Sequence, residues 1–164
     1  MDVEIRRLQP GDEELARQVV RELMPSDERD GREPSLEHLQ RFLGQETNYL
    51  IIVAAGGAPV AFLTAYRMPA LTYDGAMVYL FEIEVAPAYR RRGIGKQLIN
   101  ELIRLCRASE VEEIWVGTDN DNVAAKRLYE STGGICQYPD NCEFVYDLRG
   151  EPSAADSPIA QGPT

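Results

Sequence analysis

The sequence predicts an α/β domain in which a mixed, mostly antiparallel sheet of about six or seven strands is covered by about four helices. Three features lead there. Apolar runs follow one another with only short turns between them, which favours antiparallel neighbours. One later helix carries Ile94, Leu98, Ile99, Leu102, Ile103 and Cys106 at helical spacing, and it bridges two strands, ending at Val85 and starting at Glu113, that must therefore be parallel. Between the first of those strands and the helix lies a basic, glycine-containing turn, Arg90-Arg91-Arg92-Gly93-Ile94-Gly95-Lys96.

Taken in order, Val3 to Leu8 alternates well enough for an opening strand, and Pro10-Gly11 breaks it. Asp12 can cap a first helix whose opening turn holds Glu13 and Glu14 and whose apolar stripe is Leu15, Ala16, Val19, Val20 and Leu23. Ser26 to Pro34 is a polar loop containing Asp27 and Glu28. Ser35 then caps a short helix with Leu36, Leu39, Phe42 and Leu43 inward. Tyr49 to Ala55 and Val60 to Met68 form a hairpin around Gly56-Gly57-Ala58-Pro59. Pro69 to Gly75 is a loop before the central strand, Val78 to Ala86.

In that strand Tyr79, Phe81, Ile83 and Val85 alternate with Val78, Leu80, Glu82 and Glu84, which places two carboxylates on one face deep in the sheet. Buried carboxylates need either neighbouring donors or a function. After the long helix come a strand at Glu113 to Thr118 and an Asp- and Asn-rich segment suited to capping. A helix from Val123 to Ser131 follows, stopped by Gly133-Gly134. Ile135 to Tyr138 and Cys142 to Leu148 read as a closing hairpin, whose outer edge could pair across a homodimer. Residues 1–150 thus make one domain, and 151–164, rich in Pro, Ser, Ala and Gly, make a disordered tail.

A strand that delivers a basic turn into a helix N-terminus presents unpaired amides and the positive end of the helix dipole, a seat for phosphate. It is not a Walker loop: Arg90 stands where the leading glycine belongs and Gln97 where Ser or Thr belongs. A dinucleotide fingerprint fails as well, because Leu98 occupies the place of its third small residue.

What remains is Arg/Gln-x-x-Gly-x-Gly/Ala after a strand ending in Val-x-Pro. On these residues, Ile83 through Leu98, the chain resembles the GCN5-related N-acetyltransferases, and the turn resembles their acetyl-CoA signature. The resemblance implies that acetyl-CoA is the cofactor and that its pantetheine arm enters between two diverging parallel strands. It implies that Ile83 and Val85 bond that arm, and that Arg90, Arg91, Arg92, Gly93, Ile94, Gly95 and Lys96 surround its diphosphate. Asn122-x-x-Ala125-x-x-Leu128-Tyr129 resembles the family's second motif, which implies that Asn122 meets the arm and that Tyr129 is the acid near the sulfur. Read on its own, without the glycine turn beside it, Tyr129 is a core aromatic one turn beyond Ala125. Lys126 is placed to reach the phosphates.

Amine attack on a thioester requires alignment, removal of a proton, stabilisation of the oxyanion and protonation of the departing thiolate. Glu82 is the first candidate for base and Glu84 the second, although both carboxylates could instead bind a cationic acceptor while water takes the proton. Asp119, Asp27 and Glu28 are further candidates for contact with that acceptor. Val78 to Val85 with Tyr89 to Asn100, continuing to Phe144-x-x-Asp147, is similar to the type I aminoglycoside 3-N-acetyltransferases. Glu82, Gly95 and Arg92 depart from those, which carry Asp, Ala and Gln there. The expected partner is a cationic small-molecule amine, most naturally an aminoglycoside. A polyamine, an amino acid derivative and a protein N-terminus are other acceptors, and a non-catalytic acyl-CoA sensor is the reading from another class.

Composition bounds these choices. A formal net charge of −10 disfavours nucleic acid, whose backbone needs clustered cations, and suits a cationic partner. Three cysteines without metal-ligand spacing and a single histidine, His38, leave no metal site and no His-based triad. No run is apolar enough for a membrane helix, and the expected location is the cytoplasm.

Overall fold

The computed structural model describes residues 3–24 and 31–136. Its elements are β1 (Val3–Arg7), α1 (Glu13–Leu23), α2 (Leu36–Leu43), β2 (Asn48–Ala55), β3 (Ala58–Pro69), β4 (Ala76–Val85), a short 3-10 turn (Pro87–Tyr89), α3 (Ile94–Arg107), β5 (Val111–Val116) and α4 (Val123–Glu130). The strands lie in the order β1-β2-β3-β4-β5. Every pairing is antiparallel except β4 with β5, the pair that α3 connects. Among the described residues the sheet therefore has five strands rather than six or seven. The closing strands fall almost wholly outside the described residues, as do Asp27, Glu28, the candidate dimer edge Cys142 to Leu148 and the tail. Ile135 and Cys136, where that hairpin was to begin, are described and are not in a strand.

The sheet has a core on each face. Against one, α3 presses Leu98 and Leu102, both 0% exposed, onto Ile51, Leu63 and Val78. Against the other, α1 and α2 bring Ala16, Val19, Leu39 and Leu43 to Leu50, Ile52 and Phe62. Tyr79 and Phe81 of β4 and Trp115 of β5 stay exposed.

Local chemistry explains where the elements depart from expectation. Gly56 and Gly57 have φ of 59° and 84°, the positive values a two-residue hairpin turn requires, so β3 starts at Ala58 and takes in Pro59. The register slips opposite Pro59, where a residue without an N–H fits a broken ladder. Asp12 does not cap α1 through its side chain. Its carboxylate instead accepts from the Gln9 N–H at 2.9 Å and the Arg6 guanidinium at 3.0 Å, the latter a charge-assisted bond. In α2 the Ser35 hydroxyl oxygen accepts from the His38 N–H at 3.1 Å, while Leu36, expected inward, is 39% exposed in the first turn. His38 is exposed on that helix.

The larger correction concerns β4. Glu82 pairs with Thr64 and Leu80 with Ala65, so Phe81 is an extra residue with no partner on β3. A bulge of this kind shifts the side-chain alternation by one place. Val78, Leu80, Ile83 and Val85 consequently all pack on the α3 core, and Glu82 and Glu84 do not lie beneath it. No helix among the described residues is long and apolar enough to cross a membrane.

Burial makes a stability test direct. Leu98→Ala should lower the unfolding free energy by about 2–5 kcal/mol in urea titration, since it deletes a fully buried side chain between α3 and the sheet.

Candidate active site

β4 outruns β5. Their parallel register ends at Leu80 opposite Val116, so among the described residues Phe81 to Val85 have no strand partner on that side. The gap is a cleft. β4 lines it with Phe81, Glu82, Ile83 and Glu84, the segment after β5 with Thr118, Asp119 and Asn122, and α4 with Ala125 and Tyr129.

The backbone of β4 inside the cleft is oriented by its other neighbour. The Ala86 N–H donates to the Val60 carbonyl at 2.9 Å, which makes that a hydrogen-bonded pair. By antiparallel alternation Glu84 turns its backbone to β3, while Ile83 and Val85, opposite Leu63 and Ala61, turn theirs into the gap. Ile83 therefore offers an N–H and a carbonyl to a ligand. Val85 is already engaged: its N–H donates to Glu84 Oε1 at 3.2 Å, and its carbonyl accepts from Arg90 Nε at 2.8 Å. Arg90 Nη2 closes this clasp on Glu84 Oε1 at 2.7 Å.

The two carboxylates thus differ. Glu84 is tied to a guanidinium, and that pairing turns Arg90 toward the strand and away from the phosphate seat. Glu82 accepts from the Thr64 hydroxyl at 3.4 Å and faces the cleft. Its presence, after burial itself, raises the pKa of Tyr66.

At the far end, the turn and α3 present their amides. The Gln97 N–H bonds the Gly93 carbonyl at 3.1 Å, which leaves the amides of Ile94, Gly95 and Lys96 beyond the reach of intrahelical acceptors. Arg91 and Gly93 have φ of 59° and 78°. Left-handed residues within such a turn draw successive N–H groups into a concave nest for anions, and a non-glycine residue there stores strain of about 1–3 kcal/mol. A Cβ on Gly93 would meet nothing within 4 Å, so the cradle is open. Gly95 serves packing as well: a Cβ there would come within 3.1 Å of a Leu128 methyl, so its absence lets α4 close on α3. The Arg92 guanidinium stands 5.6 Å over the Tyr89 ring.

The remaining candidates have local duties. Asn122 Oδ1 accepts from the Ala125 N–H at 3.1 Å as the cap of α4, leaving its NH2 for the cleft. Lys126 Nζ donates to Asn120 Oδ1 at 3.1 Å. Asp119 lies exposed on the cleft wall. Tyr129 is half-buried, packs against the α3 core and also reaches the cleft, so both readings of it describe part of its surroundings. Burial, and secondarily Tyr79, push its pKa up, which keeps the phenol protonated. Cys106 is buried, with its thiol pushed up to about 11 mainly by burial, and plays no part here.

Thr64, Thr118, Phe62 and Phe81 belong to the site although sequence reasoning passed over them. Only Phe81 carried a signal, as an apolar residue beside a carboxylate. Among the described residues no cluster of His, Cys, Asp and Glu could hold a metal ion. An open nest of amides joined by a strand gap to an unpaired peptide edge at Ile83 fits a long ligand with a diphosphate and an amide-bearing arm, as acetyl-CoA has.

A sequence profile described as the Acetyltransferase (GNAT) family matches residues 16–134. The chain is 35% identical over 71 residues to the [ribosomal protein bS18]-alanine N-acetyltransferase of Salmonella typhimurium, covering 43% of this chain and 47% of that protein. It is 35% identical over 96 residues to the N-alpha-acetyltransferase RimI of Mycobacterium tuberculosis, covering 57% and 56%. The alignments thus span about half the length of these curated relatives. The fold is similar to that of an aminoglycoside acetyltransferase, meta-AAC0020, from an uncultured soil metagenomic sample in complex with sisomicin. The TM-score is 0.80 at 25% identity, over 90% of this chain and 97% of that one.

The nest suggests a test in which activity need not be lost. Gly93→Ala places a Cβ at a left-handed position, a strain of about 1–2 kcal/mol that the free turn can relieve by shifting. The Michaelis constant for acetyl-CoA should rise by roughly 5- to 30-fold. The constant for the acceptor, measured in the same assay, should move less than about twofold.

Proposed function

The chain belongs to the GNAT acetyltransferase family, and from that premise we propose that it is an acetyl-CoA-dependent N-acetyltransferase acting on an aminoglycoside. The proposed product is the 3-N-acetyl derivative, and modification of the drug in the cytoplasm would confer resistance. The observation that carries this reading is the acidic, side-chain-lined cleft between β4 and the segment after β5, with Glu82 beside an open peptide edge. Support for the acceptor comes from the similarity to meta-AAC0020 over nearly its whole length and from the net charge of −10. The 3-N position rests on the sequence resemblance alone.

Each residue has a task in this scheme. The amides of Ile94, Gly95 and Lys96 hold the diphosphate at the positive end of α3. Ile83 bonds the pantetheine arm through its backbone and orients it along the gap. Acetyl-CoA supplies an activated acyl thioester when bound. Glu82 attracts the acceptor's ammonium and takes its proton, directly or through water, because a protonated amine cannot attack. Tyr129 holds its proton on Oη for the departing sulfur.

A second reading has its own support. The bacterial relatives that share 35% identity are named for acetylating protein N-termini, so a peptide amine is the alternative acceptor.

Thiol release measured against sisomicin, spermidine and an alanine-initiated peptide decides between acceptors. The reading predicts turnover of sisomicin well above that of the peptide; the reverse ranking would reassign the enzyme to protein N-termini. With the best acceptor, Tyr129→Phe should lower kcat by about 10²- to 10⁴-fold and leave the Michaelis constant for acetyl-CoA nearly unchanged. Because the raised pKa keeps this phenol protonated, its ionisation should cut the wild-type rate only above the usual tyrosine value of about 10. That high-pH limb should be missing from the residual rate of Tyr129→Phe.

A further inference from the structure

An array of rings leads from the α2 core to the mouth of the cleft. Phe42 meets Tyr66 edge-to-face at 6.2 Å and 90°, Tyr66 meets Phe81 at 5.9 Å and 72°, and Tyr79 meets Phe81 at 6.4 Å and 60°. Phe81 is therefore braced by a ring on either side and fixed on a bulge of β4, yet it is 61% exposed. A large apolar side chain held in one place and left open to water has no purpose in the core. It lines the cleft next in sequence to Glu82, whose carboxylate is steadied by Thr64.

A flat apolar face beside a fixed anion selects a particular chemistry. An aminosugar or aminocyclitol ring with equatorial substituents presents a face of C–H groups and carries an ammonium at its rim. The polarised C–H groups and the nearby cation are attracted to the negative face of an aromatic ring, while the ammonium reaches the carboxylate. A linear polyamine has the cations without the face. We propose that Phe81 is a specificity-determining residue, a platform on which a ring of the acceptor stacks while Glu82 takes the amine beside it. This rests on the small-molecule acceptor reading above and narrows it to cyclic amines.

Steady-state kinetics of Phe81→Ala, Phe81→Tyr and the wild type, with sisomicin and with spermidine, tests the platform. Because the side chain is mostly exposed, Phe81→Ala should fold with a nearly unchanged melting temperature. Its Michaelis constant for sisomicin should rise about 5- to 30-fold, with kcat and the constant for acetyl-CoA within about twofold of wild type. Phe81→Tyr, which keeps the ring, should restore sisomicin binding, and the constant for spermidine should be unaffected by either change. A sisomicin constant that does not move in Phe81→Ala, or that moves together with that for spermidine, overturns the platform while leaving the acceptor assignment standing. Failure of the wild-type enzyme to turn over sisomicin overturns both.

Discussion

One extra residue in β4 governs the site. Were Phe81 paired in the ladder like its neighbours, the strand would keep its phase from Ala76 to Val85, and Glu82 and Glu84 would share a face with Val78 and Leu80 against α3. Two carboxylates in that apolar layer would cost several kcal/mol each if unpaired. The bulge removes this cost by turning the acids out and the next two apolar residues, Ile83 and Val85, in. It also bends the strand where its pairing with β5 ends, so the change of phase and the opening of the cleft occur together.

The two ends of the cleft are then set by unrelated pieces of physics. At one end, helix geometry leaves amides without acceptors, and an arginine and a glycine in left-handed conformations turn the chain so that these amides converge. At the other, fixed carboxylates and aromatic rings face outward. Gly95 links them indirectly: by letting Leu128 approach α3, it seats α4 so that Tyr129 and Asn122 border the gap. The Arg90–Glu84 clasp is the unexpected part. It satisfies both backbone groups of Val85 from within the chain, so of the two strand residues expected to meet a ligand Ile83 is the one whose edge is unengaged among the described residues.

Much of this was legible in the sequence because it depends on local signals. The stripe from Ile94 to Cys106 marks α3, the paired glycines mark a hairpin, and the basic turn marks the amide nest whatever surrounds it. The parallel pair followed from the length of one crossover. The bulge was not legible, since alternation read by eye assumes an unbroken ladder and Phe81 looks like any other strand residue. That single slip is also why simple alternation puts the acids deep in the sheet, on the face of Val78 and Leu80. The competing partners of Asp12 and Arg90 were hidden for a different reason: a charged side chain takes whichever partner the fold brings near, and spacing along the chain does not show which, whereas the cap that Asn122 makes on α4 lies in the Asp- and Asn-rich segment the sequence marks for capping. Asp27, Glu28 and the closing hairpin lie outside the described residues.

The central claim is that the amides opening α3 grip a diphosphate while the edge of β4 at Ile83 holds an arm leading to Glu82. A crystal structure of the protein with coenzyme A measures this most directly. It should show diphosphate oxygens at hydrogen-bonding distance from the amides of Ile94, Gly95 and Lys96, with the pantetheine bonded to Ile83 in the gap beside β5. Coenzyme bound elsewhere, or a diphosphate held only by side chains while these amides face water, would contradict it.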